Sequence, residues 1–115
     1  MELVGAYVGV LRNARGLTQP ELAEQVGVSE KTIRNIERGR HEPKTIVLDT
    51  ILDLLHGSWA HVGQLLRPGA SRDLAERLAK EVTEGKGFTD DQRAFLEGLT
   101  PDQKDAILRV ARQMR

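Results

Sequence analysis

Four polar side chains recur at the spacing of one helix face near the middle of the chain: Lys31, Arg34, Asn35 and Arg38. They lie at i, i+3, i+4 and i+7, so a helix of 100° per residue projects them from one side. Arginine and lysine can donate hydrogen bonds to guanine O6 and N7, and asparagine can bond adenine through two hydrogen bonds. Glu30, in the first turn, could accept from cytosine N4. The stripe is a candidate base-reading face, although an ordinary solvated helix face has a similar composition.

The residues around this stripe predict two short helices folded onto each other. Ile33 and Ile36 form the inward face of the second helix, opposite the polar stripe. Gly27 can take the positive φ that ends the first helix, and Ser29 is a good N-cap for the second. The first helix carries apolar residues at matching spacing: Leu22, Ala23 and Val26. Such a helix-turn-helix can place its second helix in the major groove of DNA, which favours the base-reading interpretation of the stripe.

The window between residues 17 and 39 resembles the Cro/lambda-repressor-like helix-turn-helix, known as the XRE family. Four segments carry the resemblance: Leu17-Thr18-Gln19, Glu21-Leu22-Ala23, Val26-Gly27-Val28-Ser29, and Ile33-Arg34-Asn35-Ile36-Glu37-Arg38-Gly39. The resemblance extends at lower specificity over the first sixty-five residues or so. It implies a five-helix domain over residues 1–66 that binds double-stranded DNA sequence-specifically, normally as a dimer on an operator.

The resemblance also implies contacts to the DNA backbone. Gln19 matches a glutamine that contacts a phosphate from a helix N-terminus, with a plain first-turn residue as the alternative. Ser29, at the start of the next helix, is a second phosphate candidate. In the family, the loop after the second helix contacts the backbone. Arg40 and Lys44 are the phosphate candidates in this loop, with free surface cations as the alternative.

Glu37 departs from the polar stripe because its spacing places it near the inward isoleucines. A carboxylate in such a position needs a partner. In the family, a glutamate at this place pairs with an arginine of the first helix, and Arg12 is the matching residue here. We expect a structural Arg12–Glu37 pair ahead of a direct DNA role for Glu37, with a phosphate contact as a second role for Arg12.

The overall composition argues against several other functions. Lysine and arginine number 17, as do aspartate and glutamate, so the chain does not coat nucleic acid by bulk charge. Cations nevertheless outnumber carboxylates between residues 31 and 44, which is the local basic patch expected of a specific binder. The chain has no cysteine, and no signal peptide or long apolar run, which predicts a cytoplasmic protein with no membrane contact. Scattered histidines and the absence of nucleotide or catalytic motifs predict no metal, no cofactor and no enzyme activity.

Helical periodicity without useful strand signals predicts an all-α fold. Besides the two central helices, we expect a first helix over about Glu2–Ala14, an apolar helix over Thr45–His56 ended by Gly57, and a short fifth helix over Trp59–Leu66. The apolar face of Thr45–His56 is wider than one core contact needs. Part of it is therefore expected to meet a second chain.

Proline and glycine between Arg67 and Ser71 suggest a boundary, so residues 67–115 form a second, helical segment. We expect three amphipathic helices there: one over Leu74–Val82, one over Thr89–Leu99, and one from Thr100 onward. The segment from residue 71 to 115 is predicted to help form a symmetric homodimer that presents two recognition helices about 34 Å apart to palindromic half-sites. Two alternatives stay open: these helices pack back on their own N-terminal domain, or they hold another protein, as in an antitoxin. The favoured function is a transcriptional repressor.

Overall fold

The computed structural model describes residues 1–84 and 98–113, and the regular structure within these ranges is helical throughout, as predicted. Much of the helix predicted over Thr89–Leu99 lies outside the described residues. The helices are α1 (Glu2–Ala14), α2 (Gln19–Val26), α3 (Glu30–Glu37), α4 (Thr45–Leu55), α5 (Trp59–Leu65), α6 (Arg72–Thr83) and α7 (Pro101–Gln113). None of these helices is long and apolar enough to cross a bilayer.

Local capping signals set the bounds of α2 and α3. Thr18 accepts from the backbone N–H of Glu21, and the Glu21 side chain accepts from the Thr18 N–H in return, so α2 begins at a reciprocal capping box. Gly27 ends α2 with φ at 85°, in the left-handed region that glycine adopts without strain. Ser29 then caps α3 by accepting from the Thr32 N–H. The predicted helix-turn-helix is confirmed.

α1 runs through the centre of the fold and packs against α3, α4, α5 and α6. Its inward residues are fully buried: Val4, Tyr7, Val8 and Leu11. Gly5 lets α1 approach α3 closely, because a Cβ atom there would lie 2.3 Å from the carbonyl oxygen of Ile36. The position of α3 is therefore fixed by direct backbone contact with α1.

A buried polar cluster joins α1 to α5. The Tyr7 hydroxyl accepts from the Ser58 N–H at 3.1 Å and lies 2.9 Å from His61 Nδ1. Burial lowers the pKa of His61, and the nearby Glu81 carboxylate on α6 offsets only part of this effect. The neutral imidazole is thus favoured in the folded chain.

The described C-terminal helices pack on the first five helices. α6 lies along α1 and buries Ala75, Leu78 and Ala79, and the contact between these two helices is the most extensive among the described elements. α7 packs on α4 and α5 and buries Leu108 completely. These contacts agree with the alternative in which the C-terminal helices extend the N-terminal core.

The end of α4 differs from the prediction. The helix stops at Leu55, one residue before the predicted end at His56, and His56 takes the left-handed conformation with φ at 59°. Gly57 serves a packing role instead, because a Cβ there would lie 2.7 Å from Leu52 Cδ2 and 3.0 Å from Leu11 Cδ1. The glycine lets the chain pass close to α1 after the turn.

Candidate nucleic-acid interface

α3 is held in the fold by one apolar side. Ile33 and Ile36 are buried, with 1% and 3% of their surface exposed. The helix spans only eight residues, so it depends on this packing for its stability. Its opposite side is left for solvent or a ligand, as the sequence pattern predicted.

The predicted base-reading residues lie on this outward side. Glu30 and Lys31 are exposed in the first turn, Arg34 and Asn35 are half-buried in the middle, and exposed Arg38 caps the C-terminus. The free ends of these side chains include three cationic groups, one amide and one carboxylate. These are the groups that recognise base edges in the major groove.

The turn after α3 fixes where the chain goes next. The Gly39 N–H bonds to the Ile36 carbonyl at 3.0 Å and the Arg40 N–H bonds to the Asn35 carbonyl at 2.9 Å, with φ at 69° for Gly39. This double closure is a Schellman motif. Arg40, a predicted phosphate contact, is therefore anchored by its backbone to the centre of α3 while its side chain stays exposed.

A cleft of about 410 Å³ separates α3 from the loop over residues 40–44. From the loop side it is lined by His41, Glu42, Pro43 and exposed Lys44, and Val47 of α4 also lines it. From the α3 side it is lined by residues that include Ser29, Lys31, Thr32 and Asn35. Lys31 and Asn35 on the outward side of α3 therefore face the same space as Lys44 of the loop.

Glu37 forms the predicted pair with Arg12. Arg12 Nε donates to Glu37 Oε2 at 2.7 Å and Nη2 donates to Oε1 at 3.0 Å, a bidentate geometry, while Nη1 donates to the Leu17 carbonyl at 2.8 Å. The two side chains are only 12% and 10% exposed. The guanidinium is thus engaged inside the chain, in agreement with a structural role. The pair joins α1 to α3 beneath the outward side.

Gln19 and Ser29, both predicted near phosphates, make internal contacts. Gln19 Nε2 donates to Glu37 Oε1 at 3.3 Å, which adds α2 to the Arg12–Glu37 pair. The Ser29 hydroxyl is engaged by its cap and lies 2.9 Å from the Thr32 hydroxyl. Ser29 is exposed and Gln19 is half-buried, and their phosphate contacts stay predictions.

Among the polar residues that line the cleft, sequence reasoning gave no role to Thr32, His41 or Glu42. Thr32 lies beside Lys31 and Asn35. Its contact with Ser29 could have been predicted, because Thr32 follows the Ser29 cap by three residues. His41 belongs to the loop, whose course depends on the packing of Pro43, which is buried. Its position has no local sequence signal.

Comparisons with known proteins agree with this geometry. A family model described as a helix-turn-helix domain matches residues 3–65. An uncharacterized HTH-type transcriptional regulator from Methanothermobacter thermautotrophicus is 50% identical over 40 residues, which cover 35% of this chain and 58% of that protein. The HTH-type transcriptional regulator y4dJ from Sinorhizobium fredii is 40% identical over 47 residues, which cover 41% of this chain and 61% of that protein. The chain thus spans about three fifths of the length of each relative. No solved structure gives a significant match.

Proposed function

This chain belongs to the helix-turn-helix domain family, and we propose that it is a transcriptional regulator that reads specific DNA sequences with the outward side of α3. The observation that carries this proposal is that Lys31 and Asn35 of α3 line one cleft together with residues 41–44 of the following loop. A helix that enters the major groove needs phosphate contacts on the flanking backbone to set its register. Two base-reading candidates and the phosphate candidate Lys44 border the same cleft, which supports the proposal.

We assign base contacts to three residues of α3 and treat two others as supporting contacts. Lys31, Arg34 and Asn35 project from the outward side and have the donors and acceptors that distinguish base pairs. Glu30 is the first residue of the helix and Arg38 is its C-cap. Base preference should depend most on Lys31, Arg34 and Asn35.

Arg40 and Lys44 are assigned to the DNA backbone. Both are exposed, and neither forms an ion pair among the described contacts. Lys44 lines the loop side of the cleft, and Arg40 is the first residue of the loop. Cations at such positions neutralise phosphates and release counterions, so they raise affinity for every sequence alike. Their contribution should appear in the salt dependence of binding.

A single copy of α3 is too short to specify an operator. Its eight residues extend about 12 Å, which spans only about four base pairs. We therefore propose a homodimer on a palindromic operator, with half-sites about one DNA turn apart. The simplest action of such a dimer is to repress transcription by covering a promoter.

Ile46 is the candidate for the centre of the dimer contact. It lies in the first turn of α4 with 73% of its surface exposed. Among the described residues, it is the one large apolar residue that is exposed. α6 and α7 bury apolar residues within their own chain, which disfavours a protein that holds an unrelated partner with these helices. A chain shortened to residue 66 would lose part of the core, so the dimer is better tested with the full chain.

Selection from random DNA duplexes tests this function. The full chain should enrich one sequence with two inverted half-sites, and light scattering of the complex should give two chains per duplex. Ile46→Glu should weaken assembly on the duplex without lowering the free energy of unfolding. Failure to enrich any sequence would refute the proposal, and a single half-site bound by one chain would refute its dimeric form.

A further inference from the structure

Two side-chain contacts tie α7 to one face of α4. The Thr45 hydroxyl donates to Asp105 Oδ1 at 2.7 Å, and Lys104 Nζ donates to Asp49 Oδ1 at 2.7 Å. Thr45 and Asp49 are four residues apart, so they lie on the same side of α4. Their partners on α7 are adjacent in sequence. The start of α7 is thereby joined to two successive turns of α4.

The Lys104–Asp49 contact is enclosed on its lysine side. The Lys104 side chain is 15% exposed and that of Asp49 is 44% exposed. Asp49 Oδ1 also accepts from Trp59 Nε1 at 2.8 Å. Burial by itself raises the pKa of Asp49, but the hydrogen bonds from Lys104 and Trp59 and the lysine charge outweigh it and lower the pKa. One carboxylate therefore connects α4, α5 and α7.

The first turn of α4 has no side-chain cap of its own. Its N-cap residue is Lys44, which provides no acceptor for the free N–H groups, and the helix has no acidic residue in the first turn. Local sequence therefore does little to fix this end of the helix. Among the described contacts, the hydrogen bond from Thr45 to Asp105 fixes the first residue of α4 from outside.

This turn lies between the candidate DNA surface and α7. On one side, Lys44 and Val47 line the cleft that faces α3. On the other side, Thr45 and Ile46 line a second cleft of about 370 Å³ together with the first turns of α7. A displacement at Thr45 would be transmitted directly to Lys44, its neighbour in the chain.

We propose that Lys104 and Asp105 are positioning residues for DNA binding, which hold the start of α4 so that the loop over residues 40–44 keeps the place from which it contacts phosphates. This inference rests on the proposed DNA-binding function. The two residues act through α4 and do not themselves contact DNA. A loop held in place before binding loses less conformational freedom when the complex forms.

Thr45→Val tests the contact without a change of charge. It removes the donor to Asp105 and should raise the Kd for the selected duplex about threefold to tenfold, the effect of one hydrogen bond of ordinary strength. The slope of log affinity against log salt should fall in magnitude by up to about one, while base preference stays unchanged. Thr45→Ser keeps the hydroxyl and should restore wild-type affinity. Thr50→Val is the matched control, because the Thr50 hydroxyl bonds to the Ile46 carbonyl within α4.

Hydrogen exchange of the free protein gives a second readout. Thr45→Val and Lys104→Met should each speed the exchange of the backbone amides of Leu48 and Asp49, which donate to the carbonyls of residues 44 and 45 at the start of α4, and Thr50→Val should not. Equal exchange and equal affinity in Thr45→Val and Thr50→Val would overturn the positioning role while leaving the DNA-binding function intact. A wild-type chain that enriches no duplex would refute both proposals.

Discussion

Replacement of Gly5 by alanine should displace α3 from α1. A Cβ atom at this position would lie 2.3 Å from the Ile36 carbonyl oxygen and 2.6 Å from the Glu37 carbonyl oxygen. Both contacts are shorter than a carbon atom can approach an oxygen, and both involve backbone atoms. A side-chain rotation cannot relieve them, so one helix must move.

The expected magnitude follows from two opposing terms. Overpacking a well-filled core costs about 1–3 kcal/mol, and rigid backbone partners place Gly5→Ala near the upper end of that range. Alanine favours the helix over glycine by about 1 kcal/mol. The free energy of unfolding should therefore fall by about 2 kcal/mol. Because α3 moves, affinity for the selected duplex should fall as well.

Two other helical glycines provide controls. A Cβ at Gly9 would lie 3.1 Å from the Glu37 Oε1 atom, which must give way by only a few tenths of an ångström, so the loss should be smaller than at Gly5. A Cβ at Gly63, inside α5, meets nothing within 4 Å, so Gly63→Ala should stabilise the chain by up to about 1 kcal/mol. Urea unfolding followed by circular dichroism gives the three free energies. Equal stability of Gly5→Ala and Gly63→Ala would refute the close approach of α1 and α3.

Three further predictions concern charge. Arg12→Ala leaves the enclosed Glu37 carboxylate without its ion pair and should lower the free energy of unfolding, measured by urea titration, by about 1–3 kcal/mol. Unchanged stability together with lost DNA affinity would reassign Arg12 to phosphate binding. His61 has a lowered pKa in the folded chain, so the unfolded chain takes up a proton first as pH falls below the ordinary value of 6.5. The free energy of unfolding should therefore be highest above that pH and decline below it. Urea titrations of His61→Gln should show a weaker decline than those of the wild type, and an equal decline in the two proteins would contradict the role given to His61. Arg40→Ala should reduce affinity for specific and random duplexes alike, and lower the magnitude of the salt slope by about one. Arg77→Ala, at an exposed site on α6, is its control, and an equal loss there would contradict a phosphate contact.

The helix-turn-helix could be predicted because its signals are local. The capping box at Thr18, the left-handed Gly27 and the Ser29 cap each act within a few residues, so composition and spacing determine them. The outward side of α3 followed from the same periodicity, since Ile33 and Ile36 fix which side is buried. Interactions between residues close in sequence therefore determine both the helix-turn-helix and the outward side of α3.

Contacts between distant helices could not be predicted in the same way. The apolar face of α6 predicts that this helix is buried but does not identify α1 as its partner. Lys104 and Asp49 are 55 residues apart in sequence, and lysine and aspartate are usually solvated, so nothing local indicates their contact. The Arg12–Glu37 pair was predicted only because a family resemblance supplied the arginine. The end of α4 was predicted one residue too late, at His56, because a left-handed histidine and the close packing of Gly57 against Leu52 have no signature in the surrounding sequence.

The central claim is that the outward side of α3 reads base pairs, and a selection with the Asn35→Ala variant tests it most directly. The variant should enrich the wild-type operator except at one base pair in each half-site, where preference falls by about 1–3 kcal/mol. Asn13→Ala, at an exposed asparagine near the end of α1, is the matched control and should enrich the wild-type operator unchanged. If a folded Asn35→Ala protein enriches the same operator at every position with the same strength, Asn35 does not read a base and the account of α3 is contradicted.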